Sequence, residues 1–186
     1  MTNLTMNPVH PFGVGPERWV LEETGSHELY NMGHLIEAGV AHWKETGCRT
    51  LLDVAVKAAD CICRTIGPGE DQLHIISGHE EVELALVRLY EATGERKYYD
   101  FADAFIDHRV SEDGEIAGYD PEEYNIDNVN AGKTLFQLYA INGKEKYRKA
   151  IDTIYSQVER QPRTAEGNFW HKKIYPNQVW LDGMYM

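Results

Sequence analysis

The chain has 186 residues and carries 18 Lys and Arg residues against 30 Asp and Glu residues, a formal net charge of −12 at pH 7. This charge argues against nucleic acids and anionic membranes as partners, because both require a basic surface. Hydrophobic residues make up 42% of the chain and charged residues 26%, as in ordinary globular domains. The sequence has no run of about 18 apolar residues, so no transmembrane helix is predicted.

The N-terminal segment, residues 1–25, is rich in Pro and Gly, and we predict that it is irregular. It has neither a basic start nor an apolar core, so no signal peptide is predicted. The three cysteines, Cys48, Cys61 and Cys63, are an odd number without a spaced framework, which indicates a reducing compartment and a cytoplasmic location. A metal site on the Cys-Ile-Cys sequence stays open, but small apolar residues on a helix are the favoured interpretation.

Three segments align without gaps and indicate a repeat, in which one helix ends, a glycine turn follows and a second helix begins. The segments are residues 41–63, 87–109 and 136–158. Their turn glycines are 47 and 49 residues apart and stand where a residue with positive φ ends a helix: Gly47, Gly94 and Gly143. Periods of this size are typical of arrays of helical hairpins.

The predicted helices follow from the apolar spacing. The first helices of the hairpins are predicted to begin near Ser26, Gly78 and Asp127, and amphipathic second helices are predicted over 95–110 and 144–160. Residues 168–186 read as the loop and first helix of a fourth hairpin, and residues 166–175 within this region read as a short loop or hairpin. Long polar connections precede the first helices, and loops of this kind often carry binding residues; they are 64–78, 110–126 and 161–173. The sequence therefore predicts an all-α array of helical hairpins.

Polar and aromatic residues recur at the starts of the predicted first helices. His34, Glu81 and Asn130 each stand 13 residues before their turn glycine, so they are equivalent in the repeat. If these helices form an inner ring, such residues line its mouth. Carboxylates, imidazoles and indoles at a rim suit a sugar, which stacks on rings and hydrogen-bonds through its hydroxyls. The other rim residues are His27, His79, Asp127, His171, Trp180 and Asp182.

Each rim residue also has a purely structural interpretation. Asp127 precedes a predicted helix and suits an N-cap. His34 suits an interior histidine, and Glu81 suits a first helical turn, where the dipole favours a carboxylate. Trp180 and Tyr185 suit a plain apolar core. The recurrence at one edge therefore carries more weight than any single member.

The C-terminal part, with DNVNAGK at 127–133 and FWHKKIYPNQVWLDGMYM at 169–186, resembles the unsaturated rhamnogalacturonyl and glucuronyl hydrolases of glycoside hydrolase families 105 and 88. The resemblance implies that Asp127 is the first family aspartate and Asp182 the catalytic acid/base. It also implies that His171 and Trp180 bind substrate. That family hydrates the 4,5-double bond of a terminal unsaturated uronyl residue. Because the sequence ends four residues after Asp182, we expect the family's later substrate-binding helices to be absent.

The N-terminal part, with HELYNMGHLIEAGVAH at 27–42 and GHEEVELALVRLYEATG at 78–94, resembles the β-L-arabinofuranosidases of glycoside hydrolase family 127. The resemblance implies that His34 and His79 are sugar-binding residues. The nucleophile of that family is a cysteine in a zinc site with a glutamate, later in the barrel. The three cysteines of this chain do not match those motifs, so we carry over no catalytic role, no metal and no cofactor.

Both resemblances imply an all-α α/α-toroid of the six-hairpin glycosidase type, of which this chain is about half of an (α/α)6 barrel. Residues 26–90 follow one family and residues 91–186 the other within a single hairpin array, which favours a chimera or designed hybrid over a natural divergent member or a fragment. The leading function is acid/base hydration of unsaturated uronyl oligosaccharides. The alternatives are an inactive scaffold and a carbohydrate-binding half barrel. The expected partners are an oligosaccharide or small sugar and a second copy that completes the barrel as a homodimer.

Overall fold

The computed structural model describes residues 18–19, 21–22, 26–75 and 79–186. The segment 1–25, which is predicted to be irregular, lies almost wholly outside the described residues. The helices are α1 (Glu28–Thr46), α2 (Thr50–Thr65), α3 (Val82–Thr93), α4 (Arg96–Arg109), α5 (Ala131–Asn142) and α6 (Glu145–Arg160). Short 3-10 helices span Pro121–Glu123, Ile126–Val129 and Asp182–Met184. The chain divides into two compact units, residues 1–103 (unit 1) and 104–186 (unit 2), and the division falls inside α4.

The three predicted glycine turns are confirmed. Gly47, Gly94 and Gly143 have φ angles of 70°, 75° and 67°, and each N–H donates to a carbonyl four residues earlier. No described atom lies within 4 Å of a Cβ built at any of the three. The left-handed backbone, rather than a lack of space, therefore requires glycine here.

In unit 1, α1 packs against α2 and α3. Gly39 allows the close approach of α1 to α2, since a Cβ at this position would lie 2.7 Å from Ala55 Cβ. Each large apolar side chain buried in this core stabilises the fold by about 1.5–3 kcal/mol. The fully buried ones include Ile36, Leu52, Ile62, Leu84, Leu86 and Leu89.

In unit 2, α5 packs against α6. The second helix predicted over 144–160 is α6, and its apolar stripe is buried through Tyr147, Ala150 and Ile154. On the facing helix, Leu138 is fully buried, whereas Phe136 keeps 55% of its surface exposed. Within the described residues, no helix combines the length and the apolar character needed to cross a bilayer.

The first helix of the third hairpin, α5, begins later than predicted. Residue Asp127 lies inside the 3-10 helix Ile126–Val129, and α5 begins only at Ala131. The N-cap of this 3-10 helix is Asn125, whose side chain accepts a hydrogen bond of 3.1 Å from the Asp127 N–H, and the N-cap of α5 is Asn130. The interpretation of Asp127 as an N-cap is therefore wrong, because the neighbouring amide takes that role and leaves the Asp127 carboxylate available for other contacts.

The predicted first helix of a fourth hairpin, within residues 168–186, is wrong, whereas the short loop or hairpin predicted over 166–175 agrees with the structure. This segment folds back through a single antiparallel bridge between Arg163 and Phe169, and its helical content is the 3-10 turn Asp182–Met184. Pro176 has no N–H to donate and disfavours a helical residue before it. Asn177 then adopts a left-handed φ of 60°, so a regular helix cannot pass through this point.

Candidate functional site

Four rings from unit 1 gather at the N-terminal end of α1, and we call them the His–Tyr cluster: His27, Tyr30, His34 and His79. The rings of His27 and His79 stack with centroids 4.6 Å apart, and the Tyr30 ring meets the His34 ring edge-on at 4.4 Å. Tyr30 and His34 are four residues apart on one helix, so they share a face. The Tyr30 and His79 rings, with centroids 5.6 Å apart, join the two pairs, so the structure brings His34 and His79, from two different segments, into one cluster.

A buried carboxylate lies beside this cluster. Glu81 is fully buried, and its Oε1 lies 3.3 Å from Nδ1 of His34, whose side chain is 38% exposed. Gly33 provides the room, because a Cβ there would lie 2.8 Å from Glu81 Cγ and 3.0 Å from its carbonyl carbon. The carboxylate of Glu81 also stands directly before α3, where the helix dipole favours negative charge. The interpretation of His34 as an interior histidine is wrong, since over a third of its side chain is exposed.

An ion pair between Glu37 and Arg88 borders the same group. The ligating atoms of His34, Glu37 and Glu81 all lie within 4.8 Å of one another. Sequence reasoning missed Glu37 and Arg88. Their spacing could have identified them from the sequence. Glu37 is three residues after His34, and Arg88 is seven after Glu81, so each lies on the same helix face as a predicted site residue.

In unit 2, Asp127 holds two basic side chains, one on each carboxylate oxygen. Its Oδ1 lies 3.3 Å from Nε2 of His171, and its Oδ2 lies 2.8 Å from Nζ of Lys172. The backbone fixes this arrangement, since the Ile126 N–H donates to the His171 carbonyl at 3.0 Å. The His171 N–H in turn donates to the Gln178 carbonyl at 2.8 Å.

Asp182 completes this group, which we call the Asp–His site: Asp127, His171 and Asp182. The ligating atoms of the three residues all lie within 4.8 Å of one another, with His171 buried and Asp182 exposed. Gly183 permits the approach, because a Cβ there would lie 2.9 Å from Nδ1 of His171. Two carboxylates and one imidazole at this spacing can exchange protons or bind a cation.

Two aromatic rings extend the Asp–His site outward. The Trp180 ring stacks on the His171 ring with centroids 4.1 Å apart and an interplanar angle of 11°. Tyr175, which sequence reasoning missed, stacks on Trp180 at 5.5 Å. Trp180 and Tyr185 are each 40% exposed, so their interpretation as plain core is wrong. A cavity of about 490 Å³ adjoins the stack and is lined by Ile126, Val158, Phe169, His171, Trp180 and Met184.

Asn130 occupies the junction between the 3-10 helix Ile126–Val129 and α5. It is 3% exposed, and its N–H donates to the Asp127 carbonyl at 3.3 Å. Its backbone therefore helps to shape the turn that carries Asp127. A direct contact between its side chain and a sugar remains a prediction.

The cysteines do not fit the zinc site that the family 127 resemblance implies. Cys61 and Cys63 lie half-buried on α2, whereas Cys48 is exposed outside the helices. Burial raises the pKa of the Cys63 thiol to about 11, which disfavours the thiolate that binds a metal. Within the described part of the chain, the two candidate metal-binding groups consist of histidines and carboxylates. We therefore assign no catalytic step to a zinc ion held by these cysteines.

The helical hairpins and the sites at helix starts define a class, the α/α-toroid glycoside hydrolases, and solved structures of that class resemble this chain. The predicted all-α toroid fold class is confirmed. The sequence profile of the "Beta-L-arabinofuranosidase, GH127 catalytic domain" family matches residues 6–173. The chain therefore belongs to glycoside hydrolase family 127.

Individual relatives agree with this family. A non-reducing end β-L-arabinofuranosidase of Bifidobacterium longum subsp. longum is 46% identical over 153 residues, which cover 77% of this chain and 20% of the relative. A solved GH127 β-arabinofuranosidase matches 80% of this chain and 25% of its own, with 39% identity and a TM-score of 0.68. The GH127 β-L-arabinofuranosidase of Geobacillus stearothermophilus T6 matches 79% of this chain and 28% of its own, with 32% identity and a TM-score of 0.66.

A structure from the other predicted family also matches. The family 105 glycoside hydrolase of C. acetobutylicum ATCC 824 is 50% identical over 55% of this chain and 29% of its own, with a TM-score of 0.53. The chain thus spans between one fifth and about three tenths of the length of these relatives.

Proposed function

We propose that this chain binds an L-arabinofuranose-type sugar and is the sugar-binding part of a β-L-arabinofuranosidase-type glycoside hydrolase. The observation that carries the proposal is the His–Tyr cluster beside the buried carboxylate of Glu81. Family membership supports the substrate class, because the relatives are named as arabinofuranosidases. His34 and His79, predicted from sequence as sugar-binding residues, both belong to this cluster.

The chemistry of the cluster suits a small, hydroxyl-rich ring. The edges and faces of Tyr30 and His27 offer apolar contact to the C–H groups of a furanose. Imidazole nitrogens and the Glu81 carboxylate offer hydrogen bonds to its hydroxyls. The three cysteines do not match the family's nucleophile motif, so the proposal assigns binding, and not bond cleavage, to these residues.

Titration of the full chain with methyl β-L-arabinofuranoside, followed by calorimetry, tests this proposal. Replacing His34 by Ala removes a hydrogen-bonding ring, so we expect at least about tenfold weaker binding, equivalent to about 1.4 kcal/mol. His42→Ala is the matched control, because His42 is exposed on the same helix. Saturable binding that is the same in His34→Ala and His42→Ala would exclude the cluster as the site.

A second candidate function is acid/base hydration of unsaturated uronyl oligosaccharides at the Asp–His site. It is favoured by the convergence of Asp127, His171 and Asp182 and by the 50% identity to a family 105 structure. In this scheme Asp182 delivers a proton to the 4,5-double bond, and its carboxylate then takes a proton from the attacking water. The hydrated product rearranges and releases the neighbouring sugar. Lys172 supplies positive charge beside Asp127 for an anionic substrate.

Loss of the ultraviolet absorbance of an unsaturated digalacturonide measures this activity directly. We expect Asp182→Asn to abolish it, because the amide cannot transfer the proton, whereas Asp113→Asn at a 94% exposed side chain should leave it unchanged. Equal rates in both variants, or no turnover by the parent chain, would refute the hydration scheme. Without turnover, saturable sugar binding supports the binding module and its absence supports an inactive scaffold.

The hybrid origin, the homodimer and the cytoplasmic location remain proposals. The hybrid division into residues 26–90 and 91–186 is supported by the family 105 structure that covers 55% of the chain, although the family 127 profile runs through the division to residue 173. A homodimer is supported by large exposed apolar side chains such as Ile174 and Leu181, which are 73% and 87% exposed. Light scattering at micromolar concentration tests the dimer, and a folded monomer would exclude it. The cytoplasmic location also stays a prediction.

A further inference from the structure

The Asp–His site has an unusual polar group at its centre. The His171 side chain is 1% exposed, and both of its ring nitrogens lack a hydrogen-bond partner within the described part of the chain. Its Nε2 lies close to Oδ1 of Asp127, but the pair does not have the geometry of a hydrogen bond. A buried polar group without a hydrogen bond destabilises the fold, so such a group calls for an explanation.

The distances around His171 match those between the ligands of a metal ion. Zinc bonds to imidazole nitrogen and carboxylate oxygen are about 2.0–2.1 Å long, and tetrahedral geometry then places two ligand atoms about 3.3 Å apart. The observed separation of His171 Nε2 and Asp127 Oδ1 is 3.3 Å. One carboxylate oxygen of Asp182 also lies within 4.8 Å of a ligating atom from each of these two residues.

The surroundings hold the three side chains in place. Stacking on Trp180 fixes the plane of the imidazole, and the backbone hydrogen bond from Ile126 to His171 ties their two segments together. Lys172 binds Oδ2 of Asp127 at 2.8 Å, which leaves Oδ1 to face the imidazole. Side chains that orient a ligating carboxylate in this way are typical neighbours of metal sites.

We propose that Asp127, His171 and Asp182 bind a divalent transition-metal ion of the zinc type, with the fourth position open to water or to a ligand oxygen. Two carboxylates and one neutral imidazole are a common ligand set for such an ion. The proposal does not depend on either proposed function. It does predict that zinc competes with any acid/base role of Asp127 and Asp182, because the metal occupies the same oxygen atoms.

Zinc titration of the untagged chain by calorimetry, after removal of metals with a chelator and alkylation of the cysteines, tests the site. We expect one site, with binding at least tenfold weaker in His171→Ala and in Asp182→Asn. Asp182 is exposed, so its variant keeps the fold even if the buried His171 does not tolerate replacement; circular dichroism checks both. His34→Ala is the control for the other histidine–carboxylate group and should bind zinc normally.

Nuclear magnetic resonance of the imidazole nitrogens adds a readout that is independent of affinity and of catalysis. Zinc should shift one ring nitrogen of His171 and leave the exposed His42 unchanged. No binding by the folded chain would overturn the proposal. Binding that is unaffected by Asp182→Asn, or that is lost in His34→Ala, would also overturn it.

Discussion

Replacing Gly33 by Ala tests how α1 accommodates Glu81. A new Cβ would lie 2.8 Å from Glu81 Cγ, 3.0 Å from the Glu81 carbonyl carbon and 3.0 Å from the Val82 nitrogen. Two of these three atoms belong to the backbone, so the strain cannot be relieved by rotating a side chain. Overpacking of this kind costs about 1–3 kcal/mol, and a backbone clash belongs at the upper end. Alanine gains about 1 kcal/mol over glycine in a helix, so the net destabilisation should be about 2 kcal/mol.

Urea denaturation followed by circular dichroism measures this change. A loss of about 2 kcal/mol should appear as a lower midpoint and as a thermal transition about 4–8 °C lower for a chain of this size. Gly132→Ala is the matched control, because its nearest contact is a side-chain methyl, Ile154 Cγ2, at 3.3 Å. There the helix propensity should win, and the variant should be as stable as the parent or slightly more so. Gly33→Ala with unchanged or raised stability would refute the packing argument.

Three further predictions concern charge, core and turn. The Asp107 carboxylate lies 2.7 Å from Lys144 Nζ. The hydrogen bond from this lysine outweighs the effect of burial and lowers the pKa of Asp107. Because the pKa is lowered in the folded state, the ion pair stabilises the fold above about pH 4, and this stabilisation is lost as the pH falls through the folded-state pKa. Asp107→Asn should therefore lower the free energy of unfolding by about 0.5–1 kcal/mol at pH 7, since the side chain is 40% exposed, and by progressively less as the pH falls and the parent carboxyl becomes protonated. A loss that stays constant towards low pH in urea titrations would contradict this. Leu138→Ala, at a fully buried position, should cost about 2–5 kcal/mol, against under about 0.5 kcal/mol for the exposed Phe136→Ala. Gly94→Ala should cost about 1–2 kcal/mol because φ is 75°, and Gly94→Asn should cost less; equal thermal stabilities of the three chains would rule out the turn argument.

The hairpins could be predicted because their signals are local. Gly47, Gly94 and Gly143 each end a helix through their own backbone conformation, and amphipathic stripes fix the helices that follow. The late start of α5 could not be predicted, since the 3-10 helix Ile126–Val129, capped by the side chain of Asn125, takes up the residues before it. The hairpin repeat wrongly predicted a helix in the C-terminal segment for a similar local reason. Pro176 and Asn177 form a turn within a stretch of apolar residues that is typical of a helix.

The candidate sites were predictable as residue types but not as contacts. The 13-residue spacing placed His34 and Glu81 at equivalent repeat positions, and they contact each other in the structure. The pairing of Asp127 with Lys172 depends on the fold-back of residues 161–171, which no periodic pattern encodes. Gly33 and Gly183 could not be predicted as site residues from the sequence, since their role is to leave space for Glu81 and His171.

The stack of Trp180 on His171 gives the Asp–His site an intrinsic fluorescence signal that needs no label. An indole transfers excited-state charge to a ring in contact with it, and a protonated imidazole is a better acceptor than a neutral one. The emission of Trp180 should therefore brighten or dim whenever the charge on His171 changes. The chain contains four tryptophans, so the difference between the parent and Trp180→Phe isolates this signal. Stopped-flow fluorescence could then time events at this site directly.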